Sequence, residues 1–468
     1  MSVKINEFPS SKEIQRVNAL KQYHKLYDTS EQLSILKLHE LIKKQYKNLA
    51  DLVYLAHGIP ARITEVYGDF VLGDVERLVI QAPAGASEDD QAWVEGVVYE
   101  NDLKERMSDF AEDQSEFGFV VLLGYKDDEN QYHMMSVPAD QYFPQSDGSV
   151  VFITYRKDPA NPTSKKLLAH TQHYQKGNGN VFIEHQAWRC NQTGVVIEAY
   201  PLEAMSALVG RTLVESETLD IDEIPVRQID NGRRSKEGYG KSDYADIVPQ
   251  LAEINERSTQ VATQFLKNMD AKLAIPASSL EEDEEEGSTK VKHSEAFILE
   301  SKEDPMPQYI INTNPLLNDA REHILSMMKF IEFMTGIPMW ALTRTAAPQS
   351  VESLRIQLFP AMRKTSKKRA KLRRGVLDML RIGAKMTSSS EELQKNDCII
   401  KFSDALPVDE QVQVNVEAQK ITSGISSRHS SLKRIENIDD EAADEELARI
   451  KNEDAIAGLG SVGSAPTL

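Results

Sequence analysis

Cysteine is nearly missing from this chain: Cys190 and Cys398 are the only two in 468 residues. That scarcity excludes a disulfide framework and a four-cysteine zinc site, and it suits a reducing cytoplasm. Long apolar runs are missing too. No stretch approaches the roughly 20 residues that span a bilayer. The start, Met1-Ser2-Val3-Lys4-Ile5-Asn6-Glu7, has no apolar signal region. We therefore expect a protein made and used in the cytoplasm, with no membrane among its partners. Positive charge is in deficit, 54 Lys and Arg against 73 Asp and Glu, for a formal net charge of −19. Tight wrapping of nucleic acid relies on cations that neutralise phosphates, so this balance argues against it. A conduit is a different matter. Acidic or neutral walls repel phosphates across a Debye length of about 8 Å and do not grip a sliding strand. The same acids serve equally well as a solubilising surface.

Catalytic signatures are absent as well. The sequence has no Gly-x-Ser-x-Gly elbow and no His-Glu-x-x-His pair. His170, His173 and His185 lie near one another, but no Cys or acid completes a ligand set at metal spacing. They are expected to be polar residues on exposed hairpins, with no metal and no cofactor. Ser235-Lys236-Glu237-Gly238-Tyr239-Gly240-Lys241-Ser242 ends like a phosphate-binding loop. The motif needs Gly where Ser235 stands and a strand running straight into it; instead Asp230-Asn231-Gly232-Arg233-Arg234 intervenes and Pro249 soon follows. A loop leading into a helix is the better account.

What is present fits an ordinary globular composition, 40% hydrophobic and 27% charged, in a chain long enough for a few subdomains. Glu13 to Leu55 reads as helices, with Ile14, Val17, Leu20 and Tyr23, then Leu36, Leu38, Leu41 and Ile42, at helical spacing. His57 to Ile63 breaks that pattern, and Gln91 to Phe110 resumes it through Trp93, Val97, Leu103, Met107 and Phe110. From Phe117 to Ile229 the period changes. Runs at 119–123, 150–155, 181–183 and 195–197 are separated by turn clusters at 127–130, 146–149, 177–180 and 191–194, which predicts antiparallel hairpins. No repeat of fixed period is found.

The segment from Tyr239 to Arg374 is the most informative. An amphipathic helix follows Ser242 and runs toward Met269, with Tyr244, Ile247, Val248, Leu251, Ile254, Val261 and Phe265 on one face. Its opposite face carries Asp246, Gln250, Glu253, Arg257, Gln260, Gln264 and Lys267. Pro249 fits only a first turn or a kink. A second helix begins near Asn318, with Ala320, Ile324, Met328 and Ile331 on one face, and Gly336-Ile337-Pro338 ends it. Between the two, Glu281, Glu282, Asp283, Glu284, Glu285 and Glu286 form an unbroken acidic run, expected to be a solvated loop tip. After the second helix, residues 341–350 read as a small-residue loop containing Thr343, Arg344, Thr345 and Gln349. Val351 to Lys385 is a long helix in which residues 361–385 hold ten Lys or Arg against one acid, Asp378. Leu372, Val376, Met379 and Leu380 bury one side of its distal end, so not every cation can face the same partner. Beyond it come a strand at 398–402 and helices at 409–421, from Ser426 or Ser427 through Ile435, and at 441–455. A Gly- and Ser-rich tail from 457 is expected to be disordered.

The order of these pieces resembles the portal proteins of tailed bacteriophages along most of the chain. The matching stretches are Tyr239-Gly240-Lys241-Ser242-Asp243-Tyr244, Phe333-Met334-Thr335-Gly336-Ile337-Pro338 and Gln349-Ser350-Val351-Glu352-Ser353-Leu354. To these are added Ile400-Lys401-Phe402-Ser403-Asp404-Ala405-Leu406-Pro407 and Ile421-Thr422-Ser423-Gly424-Ile425-Ser426. The resemblance implies a mainly helical α+β subunit with wing, stem, clip and crown parts. It would sit in a ring, usually of twelve subunits, at one capsid vertex and pass double-stranded DNA during packaging and ejection, without catalytic activity of its own. The implied parts are a wing at 1–240, a first stem helix at 241–270 and a clip at 271–313. A second stem helix at 314–340 and a channel loop at 341–350 follow, then the basic helix and a return strand at 351–410 and a crown at 411–456.

The implied partners are further copies of the chain, DNA, the terminase packaging ATPase, head-completion or adaptor proteins, and the major capsid and scaffold proteins. Candidate channel residues are Thr343, Arg344, Thr345, Gln349 and the polar face of the first helix. Glu281 to Glu286 are candidates for partner docking. Arg363, Lys364, Lys367, Lys368, Arg369, Lys371, Arg373 and Arg374 are candidates for a subunit interface or for DNA. Two other classes stay open. One is a nucleotide-dependent nucleic-acid-processing enzyme using Gly240-Lys241-Ser242, and the other is a monomeric scaffold that binds a partner through the acidic segment.

Overall fold

The computed structural model describes residues 3–32, 55–75, 77–161, 163–210, 212–232, 238–268, 272–274, 280–283, 288–291, 308–310, 316–343, 351–403, 410–436, 438 and 440–460. It divides into two compact units, one of residues 1–346 and 358–403, the other of 347–357 and 404–468.

The larger unit opens with α1 (Ser11–Tyr27), whose first turn is held by the Ser10 hydroxyl accepting from the Glu13 amide. The expected breaker at 57–63 instead starts a helix, α2 (Ile59–Leu72), with Pro60 in its first turn, where a missing N–H costs nothing. Ile63, Val66, Tyr67, Val71 and Leu72 on α2 are buried. The helix expected to be continuous from Gln91 to Phe110 is two, α3 (Glu88–Glu100) and α4 (Leu103–Phe117). Asn101 causes the break: its side-chain amide donates to the Val97 and Tyr132 carbonyls while its carbonyl accepts from Met134 N–H, and Asp102 takes a left-handed φ of 45°. The next four residues thus restart a helix in a new direction, tied to a neighbouring strand.

That neighbour belongs to a three-stranded sheet in which β2 (Phe119–Lys126) lies between β3 (Tyr132–Val137) and β10 (Val226–Asp230). A larger sheet runs in the order β4 (Tyr142–Pro144), β5 (Val150–Lys157), β6 (Leu167–Gly177), β7 (Asn180–Cys190), β8 (Val196–Tyr200). In it β9 (Ser216–Leu219) also pairs with β7, after the short helix α5 (Leu202–Val209). The turn clusters fall at the β2–β3, β4–β5, β6–β7 and β7–β8 hairpins, as their composition predicts. The three histidines are not on exposed hairpins. His170, His173 and His185 are 7%, 4% and 4% exposed; His170 and His173 stand on opposite faces of β6, and both faces of that strand are buried along most of its length. The His170 and His185 rings stack at 5.3 Å, and His173 Nε2 lies 2.9 Å from Ser149 Oγ.

A pair of long helices follows, α6 (Val248–Asn268) and α7 (Leu316–Thr335). α6 starts later than expected. Residues 243–247 form turns, and Pro249 sits in the first helical turn. Between the helices, β11 (Lys272–Ala274) pairs with β14 (Gln308–Ile310), and β12 (Leu280–Asp283) pairs with β13 (Ser288–Val291). Part of the expected acidic loop tip is therefore a strand. Glu281 stands opposite Lys290 in the backbone register of this ribbon. Glu284, Glu285 and Glu286 lie outside the described residues.

Gly336 ends α7 at a φ of +75°, and a Cβ there would stand 3.0 Å from Pro360 Cβ, so both conformation and space require glycine. Ala341, Leu342 and Thr343, expected in a loop, are helical in α8 (Met339–Thr343), because Ala341 and Leu342 turn into the core. Arg344, Thr345 and Gln349 lie outside the described residues. The basic helix is α9 (Val351–Met386), followed by α10 (Glu391–Lys395) and β15 (Ile399–Lys401), which pairs with β1 (Val79–Gln81).

Two main cores result. Leu372, Val376, Met379, Leu380 and Ile382 of α9 pack with Phe119 to Leu122 of β2 and with α4. Ile63 and Tyr67 of α2 pack with Tyr244, Ile247, Leu251 and Ile254 and with Met328 and Ile331 of α7. The smaller unit contains α11 (Glu410–Thr422), α12 (Arg428–Glu436) and α13 (Asp440–Gly460). Ser427 caps α12, accepting from the Ser430 amide at 3.1 Å, and Arg434 Nη2 reaches Glu417 Oε2 at 2.6 Å. α13 continues through 457–460, where a disordered tail was expected. No described helix is long and apolar enough to cross a membrane.

Candidate functional site at the root of the helix pair

The turn that precedes α6 delivers Asp243 into the protein, and four elements converge on it. Ser115 Oγ of α4 donates to Asp243 Oδ2 at 2.7 Å. Lys364 Nζ lies 2.8 Å from Asp243 Oδ1, and Lys368 Nζ bonds Oδ2. The ring of Tyr67 on α2 lies beneath both ammonium groups, 4.8 Å from Lys364 and 4.1 Å from Lys368. Tyr67 Oη then donates to the Thr335 carbonyl at 2.5 Å, so the last turn of α7 is tied to the same cluster. Next to it, Tyr244 Oη meets Thr64 Oγ1.

Burial is the largest influence on Asp243 and opposes its ionisation, but Lys368 and Lys364 overcome it and hold the carboxyl at about 2. Burial is also the largest influence on Lys368, lowering it to about 8 despite the carboxylate. Lys364, closer to solvent, is raised by Asp243 and Tyr67 against its own burial. Two ammonium groups thus share one carboxylate, and the cluster binds the root of α6, the end of α7 and the middle of α9 into one block.

Most cations of the basic helix are used internally. Arg369 donates to the Val71 and Phe70 carbonyls, and Lys371 to the Gly232 carbonyl. Arg374 pairs with Asp378 and Asp397, as does Arg381, and Lys385 pairs with Asp222 and Glu223. Lys368 is 1% exposed and so faces no partner, a correction to the expected row of surface cations. Of the eight candidates, Arg363, Lys367 and Arg373 are the ones exposed without an internal tether of this kind; Arg363 lies over the Phe359 ring at 5.9 Å. On α6, Arg257 bonds Glu253 at 2.8 Å and Gln260 at 2.8 Å, while His323 of α7 reaches Glu253 at 3.1 Å. Gln250 lies on the same half-buried side; the side chains of Gln264 and Lys267 are outside the described set.

The loop that ends like a phosphate-binding motif has other work. Lys241 Nζ pairs with Asp246 at 2.5 Å, the Ser242 hydroxyl accepts from the Tyr244 amide, and the Gly240 amide donates to Asp230 Oδ1. A Cβ on Gly240 would stand 1.9 Å from the Gly118 carbonyl oxygen, so glycine is needed for close backbone approach. Tyr67, Ser115 and Asp243 were not singled out from sequence. A signal existed: Ala361, Thr365, Lys368, Leu372, Val376 and Met379 recur at helical spacing and are all buried, so one lysine sits inside an apolar stripe.

A family model for phage portal proteins, SPP1 Gp6-like, matches residues 75–457. The chain belongs to this family. It is a phage portal subunit, and the family, which sits at the capsid vertex, is structural. Among curated protein sequences none matches. Solved structures that match include the neck of a native gene transfer agent particle computed with C12 symmetry, at 9% identity, covering 85% of this chain and 93% of that one, with a TM-score of 0.40. The virion of a native gene transfer agent particle matches at 11% identity, 85% and 93% coverage and a TM-score of 0.41. The neck of an empty particle computed with C6 symmetry matches at 11% identity, 84% and 93% coverage and a TM-score of 0.45.

Proposed function

We propose that twelve copies of this chain surround a channel for double-stranded DNA during packaging and ejection. The observation that carries this reading is a rigid root bearing a projecting helix pair: α6 and α7, 21 and 20 residues long, roughly 30 Å each, meet the Asp243 cluster at one end and are bridged by β11 and β14. α6 and α7 are the stem, and residues 271–313 are the clip on which the terminase motor docks during filling and head-completion proteins dock afterwards. Glu281 to Glu286 supply its acidic docking surface. Thr343, Arg344, Thr345 and Gln349, beyond the two core residues Ala341 and Leu342, face the channel, and Gln250, Glu253, Arg257, Gln260, Gln264 and Lys267 form the polar side of the stem. Residues 1–240 and 351–410 form the wing that meets capsid and scaffold proteins, and 411–456 the crown. The chain performs no catalysis; the separate motor supplies the energy.

Light scattering on the purified chain, with negative-stain images of the same fraction, tests the ring. Particles of about a dozen subunits with a central hole are expected. A strict monomer at high concentration and varied salt counts against the reading. Arg344→Ala, tested by complementation, is expected to reduce packaging, and unchanged packaging removes Arg344 from the channel.

A further inference from the structure

The outward face of α7 carries an apolar knob. With 100° between successive residues, Phe330 and Phe333 point opposite to the buried Met328 and Ile331. They are 40% and 81% exposed, with Met334 at 37% beside them. An aromatic side chain exposed to that degree contributes nothing to the subunit's own core. A groove of about 690 Å³ lies elsewhere on the same unit, between α2, α6, α7 and α8, lined by Ile254, Ile324, Leu325, Met328, Met339 and Leu342. Its rim carries Arg62 and Glu65, paired at 2.8 Å. The knob is flanked by Lys329 and Glu332, also three residues apart on a helix and in the same basic-then-acidic order, so unlike charges meet at both positions when the two helices cross antiparallel.

A closed ring needs two different, complementary surfaces on every subunit, because cyclic contacts beyond the dimer are head-to-tail. We infer that the knob of one subunit, Phe330 and Phe333, seats in the apolar groove of the next, with Lys329 set against Glu65 and Glu332 against Arg62. The occupant of the groove is thus a second copy of this chain, and the inference rests on the portal reading above. Burial of Phe333 in each contact makes Phe333→Ser weaken subunit association on the order of tenfold or more.

Paired cysteines in the full chain test the contact. The native Cys190 and Cys398 are buried, so new surface thiols report alone. The double variant Phe333→Cys, Leu325→Cys, oxidised under ring-forming conditions, is expected to give a denaturing-gel ladder up to the closed ring. Each single variant is expected to stay monomeric on that gel, and a mixture of the two singles to give dimers only. Lys329→Glu is expected to lower cross-linking, and Lys329→Glu with Glu65→Lys to restore it. Rings without a ladder would overturn the contact and leave the portal reading intact. Efficient cross-linking by Phe333→Cys alone would mean a two-fold contact and overturn it as well. Absence of rings from the unmodified chain would remove the ring and the contact together.

Discussion

The ammonium of Lys368 and the carboxylate of Asp243 meet with side-chain exposures of 1% and 2%, between the middle of α9 and the turn that launches α6. Neither charge could be buried alone, since an unpaired ion in the interior costs several kcal/mol. Lys364 adds a second ammonium to the same carboxylate, and Tyr67 supplies an aromatic face to both. The pair therefore fixes where the helix pair leaves the body of the subunit.

Asp243→Ala strands two lysines around an empty site and is expected to lower the unfolding free energy by about 3–5 kcal/mol. Adding Lys368→Met should recover most of that loss, because a thioether fits the apolar stripe and removes the uncompensated charge. Urea unfolding followed by circular dichroism checks both. A cost below about 1 kcal/mol for Asp243→Ala would show that the cluster does not hold the root.

A second expectation concerns pH. Asp113 on α4 is pushed up to about 7, first by burial and then by the neighbouring Glu116, Asp109 and Glu112. Its native pKa is above its unfolded value. Its contribution is therefore fully present below about pH 4 and is lost as pH rises toward about 7. Asp113→Asn should stabilise the subunit at pH 8 by on the order of 1–3 kcal/mol and leave it little changed at pH 4. Denaturation midpoints across that window decide the matter. A stabilisation independent of pH would exclude ionisation of Asp113 as the cause.

The hairpin turns, and the strands β2, β5, β7 and β8 beside them, were legible because turn chemistry is local: Asn178 at φ 50° and Gly179 at φ 83° make the β6–β7 turn almost regardless of the rest of the chain. The strands β3, β6 and β10 match none of the apolar runs read from the sequence. The long helices were legible from periodicity, and Gly336 with Pro338 marked the end of α7. The break at Asn101 was not, since it depends on Tyr132 and Met134, some thirty residues further on. α2 was hidden because Pro60, read as a breaker, sits where a helix tolerates it. The acidic run misled for a related reason: β12 forms by pairing with β13, a partner segment that its own composition does not announce. At the site, charge count suggested a cationic surface, whereas the acids that consume those cations come from positions such as 222, 243 and 397.

The loop at Gly240 separates a packing role from a nucleotide role. Lys241 and Asp246 form an exposed pair, so Lys241→Ala should change stability by less than about 0.5 kcal/mol. Gly240→Ala forces a Cβ against the Gly118 carbonyl and should cost several-fold more, on the order of 2 kcal/mol or above. Calorimetric titration with ATP should show no binding to the unmodified chain. ATP binding that disappears in Lys241→Ala would revive the enzyme alternative.

Arg363, Lys367 and Arg373 lie at the surface of α9 after their neighbours have been tied internally, so they test what the basic helix does in assembly. In a chain of net charge −19, abundant acids are available on an adjacent subunit; Asp69 on α2 and Asp109 on α4 are both exposed. Replacing the three cations together by Ala should leave the subunit's unfolding curve nearly unchanged, because none anchors the fold. If they face a neighbouring subunit, ring association should weaken by about fivefold at low ionic strength, from three rim pairs worth a few tenths of a kcal/mol each. That difference should shrink at high salt as screening removes it. Sedimentation of the two proteins across a salt series reads it. Unchanged assembly, together with a shallower salt dependence of DNA binding, would move these residues from the interface to the DNA.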